Sequence, residues 1–238
     1  MSIKREWLLT FTQLPWLQLY GACVEAGKLC IVTEFVPNGN LHTVLTRRKP
    51  GSQIEWRTRV QMGIDLASAI AFLHSQRPAV IHLDIKSPNL LVDEDMRLKL
   101  ADFGLAREKL PEDELPGTET FQPGTVHWMS PELMTKGIKT EKTDVYAIAV
   151  VLWELWAMKT PYAGQKVNEI AVAVRGGARP VVPDDVVPPV VDNAAYQGLM
   201  EQCWDTEAAL RPSAASIAEE LVQYLAAIAP SATYEESD

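Results

Sequence analysis

The fold is decided by the stretch Val80-Ile-His-Leu-Asp-Ile-Lys-Ser-Pro-Asn-Leu-Leu-Val92. Within it an acid, a cation and an amide stand at fixed offsets, as Asp84, Lys86 and Asn89. The apolar strings on either side are short and bounded by polar residues, which is typical of short strands that present a loop. We therefore expect the three polar side chains to converge on one site in that loop.

A second loop, Asp102-Phe-Gly104, follows further along the chain and also carries a carboxylate. The glycine gives the backbone conformational freedom next to that carboxylate. Mg²⁺ prefers oxygen ligands, together with water and phosphate oxygens. The amide oxygen of Asn89 and the carboxylate of Asp102 are therefore candidate magnesium ligands.

The charge balance argues against a nucleic-acid partner. The 238 residues include 22 Lys and Arg against 31 Asp and Glu, which gives a net charge of −9. A chain this acidic is poorly suited to a general binding face for phosphate backbones. Hydrophobic residues make up 47% and charged residues 22%, so the composition indicates a folded globular protein and excludes a wholly disordered one.

The cysteine content favours a reducing compartment. Only Cys23, Cys30 and Cys203 occur, without a CxxC pair, so neither a disulfide framework nor a structural zinc site is expected. The longest apolar run, residues 145–158, contains Glu154 and has about 14 residues, whereas roughly 20 are needed to span a bilayer. We expect a cytoplasmic chain without a membrane span, and we interpret this run as a buried helix.

Hydrophobic periodicity predicts a small mixed part followed by a mostly helical part. The turn cluster Pro-Asn-Gly-Asn at 37–40 separates them and marks the boundary between two lobes. Strands are predicted at 17–20, 29–35, 79–83, 90–92 and 98–101. Helices are predicted at 3–14, 57–75, 142–158, 166–175, 193–203 and 213–228. An exposed segment is predicted at 107–124, and a frayed acidic tail at 229–238.

Five motifs stand in an order that matches a known family. They are His82-Leu-Asp84 with Asn89, Asp102-Phe-Gly104, Gly124-Thr-Val-His-Trp-Met-Ser-Pro-Glu132, Asp144 in Thr-Asp-Val-Tyr, and Arg211-Pro212. On these motifs the chain resembles a eukaryotic protein kinase over about residues 3 to 228. The strings DIKSPN and GTVHWMSPE, with LYGAC at 19–23, are most similar to the tyrosine-kinase-like group of serine/threonine kinases.

The resemblance implies a protein-kinase-like two-lobed α+β fold, with a truncated small β lobe and a mostly helical large lobe. It implies one kinase domain at 1–228, consisting of a partial N-lobe at 1–36, a hinge at 37–40 and a C-lobe at 41–228, followed by the acidic tail. It also implies a protein serine/threonine kinase whose partners are ATP, Mg²⁺ and protein substrates. A regulatory protein partner is left open.

The resemblance assigns catalytic roles to Asp84 and Lys86. Asp84 would accept or orient the proton of the substrate hydroxyl, and Lys86 would offset the charge of the phosphoryl group in transfer. Asn89 and Asp102 would hold the metal and, with it, the nucleotide. Thr125 would support Asp84 and Lys86, and this threonine and lysine favour serine or threonine over tyrosine as the acceptor.

The resemblance also assigns the adenine site. Thr33 stands in the gatekeeper position of a strand that leads into the hinge. Backbone groups of Glu34 and Val36 would bond the adenine ring, and Leu91 would form part of its apolar floor.

Other family positions are expected to be structural. Asp144 would hold the catalytic loop from a buried helix, and Glu132 would pair with Arg211 across the helical lobe. His82 would pack beneath the Asp-Phe-Gly loop and transfer no proton. The other histidines lack the mutual spacing of metal ligands, and we interpret the tryptophans as packing residues.

The sequence departs from the family at its front. No glycine-rich loop and no VAIK-like strand precede the hinge, so the lysine that pairs with nucleotide phosphates has no candidate. Glu6 is a candidate for the glutamate that would partner that lysine, with a solvated carboxylate as the alternative. Leu83 replaces the arginine that in relatives grips a phosphorylated activation loop, while Thr118 and Thr120 remain candidate phosphosites.

Four alternatives stand beside an active protein kinase. Asp84 and Asn89 could merely cap turns, but Asp102-Phe-Gly104 at the family's spacing favours the catalytic interpretation. The missing front favours either a pseudokinase scaffold or an incomplete piece of a longer kinase, and a GxGxxG segment in the transcript upstream of Met1 would indicate the latter. A small-molecule phosphotransferase shares the Asp and Asn pattern, but GTVHWMSPE and Arg211 argue against it.

Overall fold

The computed structural model describes residues 15–25, 28–47, 54–109, 125–183 and 193–228. The strands are β1 (Leu19–Glu25), β2 (Lys28–Thr33), β3 (Val80–Ile81), β4 (Leu90–Val92), β5 (Leu98–Leu100) and β6 (Arg107–Glu108). The α-helices are α1 (Leu41–Thr46), α2 (Trp56–His74), α3 (Pro131–Lys136), α4 (Glu141–Ala157), α5 (Val167–Arg175), α6 (Asn193–Cys203) and α7 (Ala214–Ala227). The expected α+β class, with few strands and a mostly helical remainder, is confirmed.

The described strands form antiparallel pairs, β1 with β2, β3 with β6 and β4 with β5. In the first pair, Cys23 lies opposite Cys30, and the register shifts between Leu19 and Gly21. The strand predicted at 17–20 therefore starts later and runs further, because its later residues find partners on β2 that a local pattern does not reveal. The strand predicted at 29–35 ends at Thr33, where the chain turns toward 37–40.

The turn cluster leads into a short helix that the periodicity does not predict. Asn40 is the N-cap of α1, and its side-chain oxygen accepts a hydrogen bond from the Thr43 N–H at 2.9 Å. Leu41 and Leu45 bury the inner face of this helix. A helix of 6 residues is too short for a 3.6-residue period to stand out.

Helices α2, α4 and α7 form the core of the helical part. They cross at Gly63, where an added Cβ would meet Leu152 Cδ2 at 2.8 Å and Leu221 Cδ1 at 3.2 Å. A side chain at this crossing would require both leucines to repack in the core. The helix predicted at 142–158 is confirmed as buried, since every residue from 143 to 157 is enclosed.

The segment 79–83 keeps only two residues of its predicted strand, Val80 and Ile81. The next two backbone N–H groups, those of His82 and Leu83, donate to the Asp144 carboxylate at 2.8 and 2.9 Å and so leave the strand ladder. The partner of β3 is β6, which lies at the start of the segment predicted to be exposed. A side chain on a distant helix thus ends the strand.

The remaining predicted helices and strands lie within one or two residues of those observed, whereas α1 and α3 are additional short helices. Several sequence predictions fall outside the described residues. These are the helix at 3–14 with Glu6, the candidate phosphosites Thr118 and Thr120, Gly124, and the acidic tail at 229–238.

Within the described ranges, no helix combines the length and hydropathy that crossing a bilayer would need.

Candidate active site

The carboxylate of Asp84 lies at the centre of the loop between β3 and β4. It is buried, and the Lys86 ammonium donates to its Oδ1 and Oδ2 at 2.7 and 2.8 Å. The Thr125 hydroxyl donates to Oδ1 at 3.1 Å, and Asn89 Nδ2 donates to Oδ2 at 2.8 Å. The predicted convergence of these side chains is therefore observed.

The contacts around Asp84 fix its orientation. Each of its carboxylate oxygens accepts two hydrogen bonds, and its backbone carbonyl accepts a fifth from Asn89 Nδ2 at 2.9 Å. Lys86 Nζ also lies 3.1 Å from Thr125 Oγ1, so the lysine, the threonine and the acid form a closed triangle. A side chain held by this many partners is pre-organised for its chemistry.

A 3₁₀ turn, Ser87–Asn89, carries the amide into the site. Pro88 stands within this turn, where its fixed φ suits the tight backbone, and the Asn89 N–H bonds the Lys86 carbonyl at 2.9 Å. The turn then passes directly into β4. The spacing of Asp84 and Asn89 in the sequence thus corresponds to one bend of the chain, which brings Asn89 back toward the Asp84 carboxylate.

Asp102 is positioned by the β4–β5 hairpin. The Ala101 N–H donates to the Asn89 backbone carbonyl at 3.0 Å, so the residue before Asp102 is tied to the end of the catalytic loop. Asp102 has a φ of +60°, and its Oδ1 accepts from the Gly104 N–H at 3.1 Å. A Cβ at position 104 would lie 2.9 Å from that oxygen, so any larger residue there would require the Asp102 carboxylate to shift.

The side chains of Asn89 and Asp102 fit a hard divalent cation. Both side-chain hydrogen bonds of Asn89 use its Nδ2, so no described group is bonded to its Oδ1 oxygen. Asp102 is exposed, and its Oδ2 oxygen likewise has no hydrogen-bond donor within the described ranges. An amide oxygen and a carboxylate oxygen are the donor types that Mg²⁺ takes beside phosphate and water.

The Asp144 carboxylate supports the catalytic loop from α4. Besides the backbone N–H groups of His82 and Leu83, its Oδ2 lies 2.9 Å from His74 Nε2 at the end of α2. The predicted structural role of Asp144 is confirmed. The contact with His74 is new, because 70 residues separate the pair and no spacing pattern connects them.

His82 packs beneath the Asp102-Phe-Gly104 loop, as predicted. Its ring centroid lies 5.1 Å from that of Phe103, which in turn lies 5.2 Å from Trp16. Burial lowers the pKa of His82, against the nearby carboxylates of Asp144, Asp84 and Asp102, which raise it. A neutral ring is suited to packing, and the geometry gives it no role in proton transfer.

A buried carboxyl group on α4 joins two segments below the site. Ser87 Oγ lies 2.6 Å from Glu154 Oε1, and Trp128 Nε1 donates to Glu154 Oε2 at 2.7 Å. Burial raises the pKa of Glu154 to about 8, while these two hydrogen bonds lower it. The carboxyl group therefore connects the catalytic loop to the 3₁₀ turn Val126–Trp128.

This burial predicts a pH dependence of stability for Glu154. Its pKa in the folded state, about 8, lies above its ordinary value of 4.5, so from about pH 5 to 8 the folded chain holds a proton that the unfolded chain has lost. Stability must then fall as pH rises, by up to about 1.4 kcal/mol per pH unit from this group. Glu154→Gln removes the titration, so urea unfolding from pH 5 to 8 should show wild type losing stability relative to this variant. Parallel stability curves would contradict the prediction.

The hinge side of the site is held by an ion pair. Lys99 Nζ donates to Glu34 Oε2 at 2.5 Å, and the Gln18 N–H donates to Glu34 Oε1 at 2.8 Å. Burial raises the pKa of Glu34, but these two hydrogen bonds outweigh it and leave the pKa lowered. This contact connects β5 to the residue that follows β2.

Three of the residues predicted to bind adenine directly precede the turn cluster at 37–40, and the fourth lies beside it. The Thr33 hydroxyl donates to the Glu34 carbonyl at 3.2 Å, so that carbonyl already has one intramolecular partner. Val36 is buried, and its backbone N–H has no partner within the described ranges. Leu91 on β4 forms an isolated bridge with Asn40, which brings it beside the hinge.

A buried arginine joins distant parts of the helical region. Arg211 Nη1 and Nη2 donate to Glu132 Oε1 and Oε2 at 2.7 and 2.9 Å, which confirms the predicted pair. Its other hydrogen bonds go to the backbone carbonyls of Asp205 and Lys142, both at 2.8 Å. The guanidinium also lies over the Tyr146 ring, 5.2 Å from its centroid.

Comparison with known proteins matches residues 6–221 to the family described as "Protein tyrosine and serine/threonine kinase". Over 196 residues the chain is 38% identical to the probable serine/threonine-protein kinase drkD of Dictyostelium discoideum. It is 39% identical over 198 residues to the probable serine/threonine-protein kinase SIS8 of Arabidopsis thaliana, and 40% identical over 196 residues to the dual specificity protein kinase shkC of Dictyostelium discoideum.

These alignments cover most of this chain but a minor part of each relative. They include 81%, 83% and 81% of the chain, and 14%, 18% and 37% of drkD, SIS8 and shkC respectively. The similarity therefore concerns one domain of longer proteins.

Proposed function

Since the chain belongs to the protein tyrosine and serine/threonine kinase family, we propose that it transfers the γ-phosphoryl group of ATP to serine or threonine hydroxyls of proteins. The observation that carries this proposal is the buried carboxylate of Asp84, to which Lys86, Asn89 and Thr125 all donate hydrogen bonds. The named activities of the relatives, two of them serine/threonine kinases and one of dual specificity, support it.

In the proposed reaction, Asp84 is the group that receives the hydroxyl proton. The acceptor oxygen forms a bond to the γ-phosphorus, the bond from that phosphorus to the departing ADP oxygen breaks, and the hydroxyl proton passes to the carboxylate. Both carboxylate oxygens are fully engaged in the structure. One partner must therefore leave before a substrate hydroxyl can bond to Asp84.

Lys86 is the partner suited to leave. Its ammonium bonds both oxygens of Asp84 at 2.7 and 2.8 Å and carries the only positive charge among the donors to that carboxylate in the described ranges. A phosphoryl group in transfer offers a competing negative charge. Transfer of one ammonium hydrogen bond to that group would free an oxygen of Asp84 for the hydroxyl, while Thr125 and Asn89 keep the carboxylate oriented.

Family membership implies ATP and a divalent metal ion, and we assign the metal to Asn89 and Asp102. Magnesium, when bound, neutralises charge on the nucleotide phosphates. The support is that Asn89 and Asp102 each keep a side-chain oxygen without a hydrogen-bond donor among the described residues, and that the bond between the Ala101 N–H and the Asn89 carbonyl joins the two backbone segments that carry them.

We assign the adenine ring to the hinge side of the same site. The Val36 N–H offers a donor that has no partner among the described residues, and Leu91, opposite Asn40, supplies apolar surface on this side of the site. The Glu34 carbonyl would accept from the ring in addition to its bond from Thr33, since a carbonyl oxygen has two lone pairs.

We also propose that the chain belongs to the tyrosine-kinase-like group of kinases and has the division into lobes given above. Membership of the tyrosine-kinase-like group is supported by the strings LYGAC, DIKSPN and GTVHWMSPE. A part of the N-lobe at 1–36 and a hinge at 37–40 are supported by β2, which ends at Thr33 shortly before the turn cluster. A cytoplasmic location is supported by the low cysteine content, and binding of a regulatory protein partner is part of the proposal.

The test is phosphoryl transfer by the purified chain. Peptide pools with serine, threonine or tyrosine as the single acceptor are incubated with γ-labelled ATP and Mg²⁺. We expect label on serine or threonine, its loss with EDTA, and its return with added Mg²⁺. Label on tyrosine alone would overturn the specificity, and no label from a folded chain that binds ATP would favour the scaffold alternative.

A further inference from the structure

Two exposed cysteines face each other on the hairpin before the hinge. Cys23 on β1 and Cys30 on β2 are directly opposite in the antiparallel register. Both are exposed, and both are free thiols. Residues opposite each other in such a pair point their side chains to the same face of the sheet.

The register meets the distance requirement of a disulfide bond. Opposite residues in an antiparallel pair have Cα atoms about 4.5 or 5.5 Å apart, depending on the type of pair. A disulfide needs roughly 4.4–6.8 Å between Cα atoms, so both types of pair lie within its range. Cβ atoms of opposite residues are about 4.5–5.5 Å apart, against roughly 3.5–4.5 Å in a disulfide, so a local approach of about 1 Å suffices.

We propose that Cys23 and Cys30 form a disulfide modification site that reacts with small-molecule disulfides such as oxidised glutathione. One thiolate attacks a sulfur of the oxidant, which forms a mixed disulfide and releases one glutathione thiol. The second thiolate attacks the cysteine sulfur of that mixed disulfide, forms the intramolecular bond and releases the second glutathione. The protein loses two electrons and two thiol protons, and the oxidant is reduced to two thiols.

The third cysteine differs from these two because its thiol is not accessible. Cys203, at the end of α6, is fully buried, and burial raises the pKa of its thiol. Thiol exchange requires an accessible thiolate. The native protein therefore presents two reactive sulfurs that face each other and one that is shielded.

The site lies next to the proposed nucleotide pocket but does not depend on the proposed function. Cys30 precedes the last residue of β2, Thr33, by three positions, and Glu34 follows directly. An exposed disulfide across a short hairpin is of the labile kind that reductants open readily. The bond would tie β1 to the strand that enters the hinge, and it would be reversible.

The experiment treats the native chain with oxidised glutathione, alkylates it under denaturing conditions and determines its mass and its cysteine peptides. We expect a monomer that carries one alkyl group, on Cys203, where the untreated and alkylated chain carries three, with peptides containing Cys23 and Cys30 linked to each other. Dithiothreitol should restore three alkylatable cysteines. Stable glutathione adducts on both exposed cysteines, disulfide-linked dimers, or no reaction at either residue would overturn the proposal.

Two single variants supply the matched control. In Cys30→Ser, the remaining Cys23 lacks its opposed thiol, so oxidised glutathione should leave a mixed disulfide on Cys23. Cys23→Ser should leave the same adduct on Cys30. Both positions are exposed, so neither variant removes core packing. If wild type accumulates the same adducts as the two variants, the cysteines do not act as a pair.

Discussion

Replacing Asp84 with asparagine is expected to lower the rate of phosphoryl transfer by about 10²–10⁴-fold, the range of one general base. Asparagine keeps the size of the side chain and one oxygen that accepts hydrogen bonds from Thr125 or Lys86. It cannot take up the hydroxyl proton. The measurement is the initial rate with a serine or threonine peptide at saturating ATP and Mg²⁺.

The control for Asp84→Asn is Asp95→Asn, which removes an exposed carboxylate in the β4–β5 connection. Its rate should equal that of wild type. Thermal unfolding of both variants shows whether the site variant is folded, and ATP binding measured separately shows whether the pocket persists. A folded Asp84→Asn chain that retains the wild-type rate would refute the catalytic assignment.

Replacing Arg211 with methionine is expected to lower the free energy of unfolding by about 3–5 kcal/mol, because the Glu132 carboxylate then loses its buried counter-ion. Arg211 is fully buried and donates to two carboxylate oxygens and two backbone carbonyls. Methionine fills much of the volume but satisfies none of these acceptors. Urea unfolding monitored by tryptophan fluorescence gives the change.

Two further variants separate charge from packing at Arg211. Arg175→Met removes an exposed arginine whose Nε bonds the Ala171 carbonyl within α5, and it should change stability by no more than about 0.5 kcal/mol. The double variant Arg211→Met with Glu132→Leu removes both charges and should regain part of the lost stability. An unchanged midpoint for Arg211→Met alone would show that the pair contributes nothing.

The catalytic loop could be predicted from the sequence because its chemistry is local. Asp84, Lys86 and Asn89 lie within one bend, and the 3₁₀ turn that brings them together follows from the Ser-Pro-Asn string. Thr125 and the Glu132–Arg211 pair are far apart in sequence, and they were predicted only through the resemblance to a family.

The residues that the sequence did not reveal act across long separations. His74 was interpreted as an ordinary histidine, yet it bonds Asp144, 70 residues away. In the sequence, Glu154 is the one charged residue of the apolar run 145–158, and nothing there indicates a partner. Its partners Ser87 and Trp128 lie on loops that only the folded chain brings to α4. The Lys99–Glu34 pair also has no local signal, because it depends on how β5 lies beside the hinge.

Long and short elements also differ in how well the sequence predicts them. The long helices were predicted to within one or two residues, because many turns repeat one apolar face. The short helices α1 and α3 were missed, since their formation depends on caps and on neighbours that bury a single turn. The strand at 79–83 was overestimated because Asp144 takes two of its backbone N–H groups.

That use of Asp144 decides how the catalytic loop responds to heat or denaturant. The loop has no regular structure of its own at His82 and Leu83, yet the backbone N–H groups of these residues are bonded to Asp144 in the first turn of α4, a helix that is buried along nearly its whole length. Loops with exposed backbone can open independently of the rest of a protein. Because these amides are bonded to a buried carboxylate on α4, we expect the loop to open only when the helical core unfolds, so that activity and the folded state are lost together.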